Sequence, residues 1–209
     1  MNMSNAIRDF YNEIADDYAN DEYENDSILT LLEQFTSLLP PSPKILDMGC
    51  GAGYRCRDLN SPGAMITGID ISEKAIQIAR DKNPDCLFAV MDFMTMSDSL
   101  GRFDAIISIA TLIHVPKNSL PIMFSQISKC LNENGLLLLI VSDGNGETQS
   151  NYSKMINDKQ HEFINYYYDE ALLSRMALEH SIYFKESLVM PEKYSQKGYK
   201  CYIYQKCNR

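Results

Sequence analysis

The sequence predicts an α/β fold, a doubly wound and mostly parallel sheet of seven strands with helices on both faces. Over residues 44–142, short apolar segments alternate with segments whose apolar residues recur at helical spacing. Strands that alternate with helices form a parallel sheet covered on both faces, because each crossover connection has the same hand. Two strand-like segments at 181–190 and 198–207 have no helix between them, so they predict an antiparallel hairpin at the C-terminal edge.

Two helices are predicted before the first strand. In the first helix, apolar and aromatic residues recur at helical spacing: Ile7, Phe10, Tyr11, Ile14 and Tyr18. The second helix, within residues 26–39, should begin at Asp26 or Ser27, because both side chains are favourable N-caps. The sequence PPSP at 40–43 then separates this helix from the first strand.

Five strands and three helices are predicted for the core. The strands are expected at 44–48, 64–70, 86–92, 103–110 and 135–142, and the helices at roughly 52–59, 72–82 and 118–131. Ser72 should cap the helix over 72–82. The helix over 118–131 should bury one face, made of Ile122, Met123, Ile127 and Leu131.

The segment after the core, residues 143–168, is polar and rich in tyrosine, and it is predicted to be the least regular part of the chain. Asp169 should cap the helix that follows it. Five tyrosines could form the wall of a substrate pocket: Tyr152, Tyr166, Tyr167, Tyr168 and Tyr194. The alternative is that they cluster by chance, because the chain has 13 tyrosines in all. If residues 166–168 are extended, their side chains alternate in direction, so only part of the run can face one pocket.

Composition narrows the class of partner. The net charge is −9, which disfavours binding to nucleic acid or to an anionic membrane surface, since both need clustered Lys and Arg. None of the six cysteines forms a CxxC pair, so no zinc or dithiol motif is present. The N-terminal segment does not have the pattern of a signal peptide, and no apolar run reaches the roughly 18 residues of a membrane span. A cytoplasmic protein is therefore expected.

The stretch KILDMGCGAG at 44–53 places three glycines directly after a predicted strand. Glycine in such a turn allows the backbone to approach a ligand closely. The spacing of Gly49, Gly51 and Gly53 is G-x-G-x-G, and Tyr54 stands where the dinucleotide motif G-x-G-x-x-G has its third glycine. No Gly-Lys-Ser/Thr follows, so the turn is not a P-loop either.

Three acidic residues lie at the ends of successive predicted strands: Asp47, Asp70 and Asp92. In a doubly wound fold the end of the second strand lies beside the first turn and faces a bound ribose. The Asp70 carboxylate is therefore placed to accept hydrogen bonds from the ribose hydroxyls. Asp92 should lie further along the same crevice, within reach of an adenine amino group. Acidic residues without a basic phosphate clamp favour a nucleoside that carries positive charge.

These motifs together resemble the class I S-adenosylmethionine-dependent methyltransferases of the small-molecule type (methyltransferase type 11/25-like). ILDMGCGAG is similar to the family's glycine motif, GIDIS to its ribose motif and MDF to its adenine motif. FDAIISIATLIHVP resembles the segment of the fourth strand, LNENGLLLLIV the approach to the fifth strand, and FYNEIADDY an N-terminal lid helix. The resemblance covers nearly the whole chain and implies S-adenosylmethionine as cofactor.

The resemblance also implies the residues of a cofactor site. They are Tyr11, Tyr18, Asp47, Gly49, Cys50, Gly51, Gly53, Asp70, Ile71, Asp92, Phe93 and Ile109. Asp70 would hold the ribose, Ile71 would pack on adenine, and Tyr18 would reach the carboxylate of the cofactor. One domain would span 1–209, with lid helices at 1–39, a cofactor-binding core at 44–142, a substrate-side segment at 143–168, and a C-terminal helix and hairpin at 169–209.

The chemistry beyond the cofactor stays open at this stage. His114 is either a general base or a packed loop residue. Asp143, Asn145 and Glu147 are read as a polar turn rather than a metal site, so no metal is expected. The expected partner is a small-molecule methyl acceptor; the oligomeric state is not readable from the sequence. The rivals are a protein methyltransferase, a non-catalytic S-adenosylmethionine-binding protein and, least favoured, a nicotinamide-dependent oxidoreductase.

Overall fold

The computed structural model describes residues 3–24, 28–59, 61–96, 100–144 and 147–207. A seven-stranded sheet forms the centre of these residues, and a two-stranded hairpin lies apart from it. The helices are α1 (Met3–Glu24), α2 (Leu29–Thr36), α3 (Tyr54–Asp58), α4 (Glu73–Lys82), α5 (Leu120–Cys130), α6 (Glu170–Leu178) and α7 (Glu192–Ser195). The strands are β1 (Lys44–Met48), β2 (Met65–Asp70), β3 (Leu87–Val90), β4 (Phe103–Ile109), β5 (Leu131–Ser142), β6 (Glu147–Ile156), β7 (Lys159–Tyr168), β8 (Ile182–Leu188) and β9 (Tyr199–Lys206).

The order of strands in the large sheet is β3-β2-β1-β4-β5-β9-β8. The strands β3, β2, β1, β4 and β5 pair in parallel. β9 is antiparallel to both of its neighbours, β5 and β8. The predicted fold class is therefore confirmed, with one refinement: the antiparallel strand is second from the edge, and the edge strand β8 runs in the direction of β5.

Alternation along each central strand divides the core into two layers. In β5, Leu136 and Leu138 pack with the cluster on one face of the sheet, and Leu137 and Leu139 pack with the cluster on the other. All four are buried, as expected of strands covered on both sides. The apolar runs that predicted strands are thus continuous because both faces of the sheet are covered.

Local capping signals account for two helix starts. The Ser72 hydroxyl accepts from Ala75 N at 3.1 Å, and the Asp169 carboxylate accepts from Leu172 N at 2.9 Å, so both predicted caps are confirmed. α2 begins at Leu29, and the alternative caps Asp26 and Ser27 lie outside the described residues.

The predicted buried face of α5 was wrong at both ends. Ile122 is 52% exposed, whereas Met123 and Ile127 are buried. Leu131 is buried as the first residue of β5 and is not part of the helix. The backbone becomes extended directly after Cys130, so the helical spacing of the apolar residues does not continue to Leu131.

The prediction of irregular structure over 143–168 was also wrong. β6 and β7 form a long antiparallel hairpin, with Ile156 opposite Lys159 across a two-residue turn. The turn residues Asn157 and Asp158 have φ values of 48° and 61°, the left-handed conformation that a tight hairpin of this kind requires. The Asn157-Asp158 pair is typical of such a turn, but the polar composition of the flanking segments hid the strands on either side of it.

Aromatic and aliphatic side chains join this hairpin to α1. Ile7, Phe10 and Phe163 are buried together, and Tyr152 stacks on Phe163 with ring centroids 4.6 Å apart. The tyrosine run alternates as predicted, because Tyr166 and Tyr168 are buried and the residue between them is not. Together, α1 and the β6–β7 hairpin form a cover over one end of the sheet. No helix in the described ranges is long and apolar enough to cross a membrane.

Candidate functional site

A cavity of about 370 Å³ lies under this cover. It sits at the carboxyl ends of β1, β2 and β4, which is where doubly wound folds bind their ligands. Most of the residues predicted from the sequence line it: Tyr11, Tyr18, Gly49, Gly51, Asp70, Ile71, Asp92, Phe93, Ile109 and His114. Three predicted residues, Asp47, Cys50 and Gly53, do not.

The glycine turn at the end of β1 is held by backbone hydrogen bonds. Gly49 N and Cys50 N both donate to Ile69 O, at 2.8 and 3.0 Å. Gly49 has a φ of 80°, and a Cβ there would overlap the Thr111 side chain. Gly51 has a φ of 53°, and a Cβ there would meet no described residue within 4 Å, so the wall at Gly51 is open backbone. Gly49 must therefore be glycine because a side chain would not fit beside Thr111, and Gly51 because its φ is left-handed.

Gly53 and Cys50 lie behind this wall and do not line the cavity, so their contact with a ligand stays a prediction. Gly53 precedes α3 with a φ of 76°, and a Cβ there would come within about 3 Å of Ala79, Asn83 and Phe88. The Cys50 thiol is buried in the core on the same side. The third glycine therefore serves close packing of the turn against α4 and β3.

Asp70 is fixed at the cavity by two backbone donors. Its Oδ2 accepts from Gly51 N and its Oδ1 accepts from Ser72 N, both at 2.9 Å. Burial raises the pKa of this carboxyl, and hydrogen bonds from the backbone of Ser72, Gly51 and Ile71 oppose that rise. The remaining lone pairs of a carboxylate held in this way are available to donors in the cavity.

Asp47 differs from Asp70, although the sequence suggested a similar place for both. It lies one residue inside β1, is 2% exposed and does not line the cavity. Its Oδ2 has no hydrogen-bond partner within the part of the chain that is described. Burial raises its pKa to about 7, the charge of Asp70 adds to that rise, and Arg55 opposes it. Asp47 is therefore a buried acid behind the site.

Asp92 and Phe93 lie on the β3 side of the cavity, because they follow β3 directly. Asp92 Oδ1 accepts from Met94 N at 2.9 Å, so this carboxylate caps the short 3₁₀ helix Phe93–Thr95. This hydrogen bond fixes the direction of Asp92 after β3. Both residues line the cavity, as predicted, and Met94 lines it beside them.

Tyr11 and His114 meet on the opposite side. The Tyr11 hydroxyl lies 2.8 Å from His114 Nε2, and the two side chains are 103 positions apart in the chain. Burial lowers the pKa of His114 to about 4 and raises that of Tyr11, so both groups are neutral at pH 7. His114 Nδ1 is buried and has no partner in the described ranges. The sequence indicated each residue but not their pairing.

Sequence reasoning missed several lining residues and misplaced others. Thr111, Ile113, Tyr54 and Tyr199 line the cavity, although no role was predicted for them, even for the two residues within FDAIISIATLIHVP. The tyrosines considered for a pocket do not line it: Tyr152, Tyr166, Tyr167, Tyr168 and Tyr194. Instead, the Tyr168 hydroxyl donates to Val115 O and so positions the segment that carries His114. Asn145 of the considered metal ligands lies outside the described residues.

The charge of the cavity has one sign. Asp70 and Asp92 are its acidic lining residues, and no Lys or Arg occurs among the described residues that line it. Tyr18 is 40% exposed on α1, and it contributes to the lining from the cover. The geometry suits a ligand with hydroxyl and amino donors and without a phosphate group.

Comparison with known proteins identifies the class. Residues 45–135 match the family described as methyltransferase domain. These residues contain β1 to β4 and the glycine turn, so they supply most of the cavity wall. Residues 45–135 are thus similar to a methyltransferase domain, the described residues have the fold of S-adenosylmethionine-dependent methyltransferases of known structure, and the resemblance of the motifs is confirmed.

Particular relatives extend the match. The 2-methyl-6-phytyl-1,4-hydroquinone methyltransferase of Synechocystis sp. is 32% identical over 111 residues, 51% of this chain and 34% of that protein. The malonyl-[acyl-carrier protein] O-methyltransferase of Legionella pneumophila is 29% identical over 144 residues, 66% of this chain and 50% of that protein. The chain spans half or less of the length of these curated relatives.

Solved structures show the same fold at low identity. The magnesium protoporphyrin IX methyltransferase of Synechocystis PCC 6803, with bound S-adenosylmethionine, superposes with a TM-score of 0.75 at 17% identity. That comparison covers 99% of this chain and 98% of the other. The CcbJ methyltransferase of Streptomyces caelestis gives a TM-score of 0.74 at 15% identity, over 95% of this chain and 98% of that chain.

Proposed function

We propose that this protein transfers a methyl group from S-adenosylmethionine to a nucleophile on a small molecule. The observation that carries the proposal is the Asp70 carboxylate, held at the cavity by Gly51 N and Ser72 N beside the glycine turn. The residues present fit the cofactor, since Gly51 leaves open space at the wall and the lining includes acids but no described cation. When bound, S-adenosylmethionine supplies an electrophilic methyl group on a positively charged sulfur.

Each part of the cofactor has a proposed set of residues. Asp70 accepts from the ribose hydroxyls, and a charge-assisted hydrogen bond of this kind contributes roughly 1.5–3 kcal/mol. Ile71 and Ile109 are proposed to pack on apolar faces, and Asp92 and the Phe93 amide to read the adenine edge. Gly49 and Gly51 let the methionine part lie on backbone, and Tyr18 reaches its carboxylate from α1.

Tyr11 and His114 are proposed to hold the methyl acceptor. When Nε2 of a neutral His114 is the acceptor, the Tyr11 hydroxyl donates a hydrogen bond to it. The lone pairs of the Tyr11 oxygen then remain for a donor in the cavity. An acceptor hydroxyl would donate a hydrogen bond to Tyr11. As its oxygen takes the methyl group and the methyl–sulfur bond breaks, the hydroxyl proton would pass to Tyr11 and the Tyr11 proton to His114 Nε2. Alignment of nucleophile and methyl can itself contribute roughly 7–11 kcal/mol, so this pair acts mainly by orientation.

The acceptor class follows from charge and from the relatives. A cavity without a described Lys or Arg gives no counter-ion to an anionic acceptor, which favours an uncharged one. The relative named ubiquinone biosynthesis O-methyltransferase, from Alkalilimnicola ehrlichii, supports an oxygen nucleophile on a small molecule. The net charge of −9 gives no support to a nucleic-acid substrate. We place the protein in a reducing compartment such as the cytoplasm because its six cysteines are free thiols.

Transfer of labelled methyl groups from S-adenosylmethionine to a metabolite extract tests this function. The protein should produce a labelled small molecule, and Asp70→Asn should reduce its formation. Asp81→Asn is the matched control, because Asp81 lies on the exposed side of α4 and contacts Gln77 only at the surface. Cofactor binding without any labelled product would favour a non-catalytic binding protein, and label on protein would favour a protein methyltransferase.

A further inference from the structure

Asn12 on α1 makes three hydrogen bonds to the first turn of α4. Its Oδ1 accepts from Ser72 Oγ at 2.7 Å and from Lys74 N at 3.2 Å, and its Nδ2 donates to Glu73 Oε2 at 3.0 Å. The amide orientation is set by these partners, because a hydroxyl and a backbone N–H need an acceptor and a carboxylate needs a donor. Asn12 does not line the cavity.

These contacts complete the cap of α4 from a different element. The first backbone N–H groups of a helix have no partner within the helix. Ser72 Oγ accepts from Ala75 N, and Asn12 Oδ1 accepts from Lys74 N. Two side chains therefore provide acceptors for the N–H groups of the first turn. Ser72 also donates its own hydroxyl proton to Asn12. A residue of α1 thus takes part in the N-terminal cap of α4.

The same serine connects Asn12 to the cavity. Ser72 N donates to Asp70 Oδ1, so Asn12, Ser72 and Asp70 form one line of hydrogen bonds. The neighbour of Asn12, Tyr11, bonds to His114 on the other side of the cavity. Consecutive residues of α1 therefore contact the segment after β2 and the segment after β4.

We propose that Asn12 is a positioning residue that holds α1 closed over the cavity by capping α4 beside Asp70. This proposal rests on the proposed function in one respect, which is that the ligand of the cavity is S-adenosylmethionine or its product. Because Tyr11 and Tyr18 line the cavity from α1, the closed position has more ligand contacts than an open one. A ligand that prefers the closed position binds more weakly when that position is destabilised.

An ion pair between α1 and α4 provides a control. Lys74 Nζ pairs with Asp16, but the two side chains are 47% and 65% exposed. Exposed pairs of this kind contribute little to stability. Lys74→Ala keeps the backbone N–H that Asn12 accepts from, so it removes a surface contact and leaves the cap intact.

Hydrogen exchange of the ligand-free protein tests the closing role directly. Asn12→Ala should accelerate exchange in peptides from α1, while Lys74→Ala should leave their exchange as in the wild type. Equal exchange of α1 in all three proteins would overturn the proposal. This arm needs no ligand, so it decides the role of Asn12 even if the proposed cofactor does not bind.

Calorimetry with S-adenosylhomocysteine tests the coupling to the cavity. Loss of these hydrogen bonds in Asn12→Ala should weaken binding by about tenfold, with Lys74→Ala unchanged. Asn12→Asp should also weaken binding, because its carboxylate faces that of Glu73, and the added change Glu73→Gln should restore much of the affinity. Equal affinity of wild type and Asn12→Ala would contradict the coupling. Absence of binding to the wild type would instead count against the proposed function.

Discussion

The wall and the cover of the cavity are held in different ways. On the wall, the glycine turn is joined to β2 by Gly49 N and Cys50 N, and Ala110 N after β4 donates to Ile140 O. On the cover, side chains make the connections: Tyr11 to His114, Asn12 to Ser72 and Glu13 to His161. Backbone contacts inside a sheet open only with the fold, whereas a few side-chain contacts can open locally. The wall is thus suited to hold a ligand and the cover to admit it.

The largest effect on ligand affinity should come from a substitution that fills the open space at Gly51. Gly51→Val places a branched side chain at a φ of 53° and fills the open space at the cavity, so S-adenosylhomocysteine binding should weaken by at least about a hundredfold. Gly101→Val is the matched control, since Gly101 has a φ of 82° and a Cβ there also meets no described residue within 4 Å, but Gly101 does not line the cavity. Calorimetry of both variants separates strain from blockage. Similar affinities in the two would show that Gly51 does not face the ligand.

The next effect concerns the attachment of the hairpin to α1. Glu13 accepts from Lys159 Nζ and from His161 Nε2, both at 2.9 Å, and these hydrogen bonds lower its pKa, that from Lys159 most. The stabilisation is therefore present above the unfolded pKa of about 4.3 and is lost as pH falls through the lower folded value. Glu13→Gln should accelerate hydrogen exchange in residues 147–168 at neutral pH while the peptides of β1 and β4 stay protected. Uniform acceleration across all strands would argue against a separately attached cover.

A smaller effect is expected from the pH response of His114. Its pKa is lowered to about 4 by burial, against about 6.5 in an unfolded chain. Between these values only the unfolded state binds the proton, so the free energy of unfolding decreases as pH falls from about 6.5 to about 4. His114→Gln should remove this component, and urea unfolding at pH 7 and pH 5 measures it. An unchanged pH dependence would mean that His114 is not buried as a neutral group.

The sequence predicted the wall better than the cover, for physical reasons. Gly51 and Asp70 were found because the turn and the strand ends carry short local motifs. Asp47 lies outside the cavity lining because a shift of one residue along a strand changes the face on which a side chain lies. The contact between Tyr11 and His114 depends on how α1 packs across the sheet, which no local pattern records. The hairpin over β6 and β7 was missed because its strands are too polar to give a clear apolar alternation.

The central claim is that Asp70, and not Asp47, is the acid that holds the cofactor. Calorimetric titration with S-adenosylhomocysteine compares the two most directly. Asp70→Ala should weaken binding at least tenfold, or about 1.4 kcal/mol, because it removes the acceptor at the cavity. Asp47→Asn should change affinity by less than about threefold, because Asp47 lies behind the wall. Unchanged affinity in a folded Asp70→Ala protein, or a larger loss in Asp47→Asn, would contradict the account.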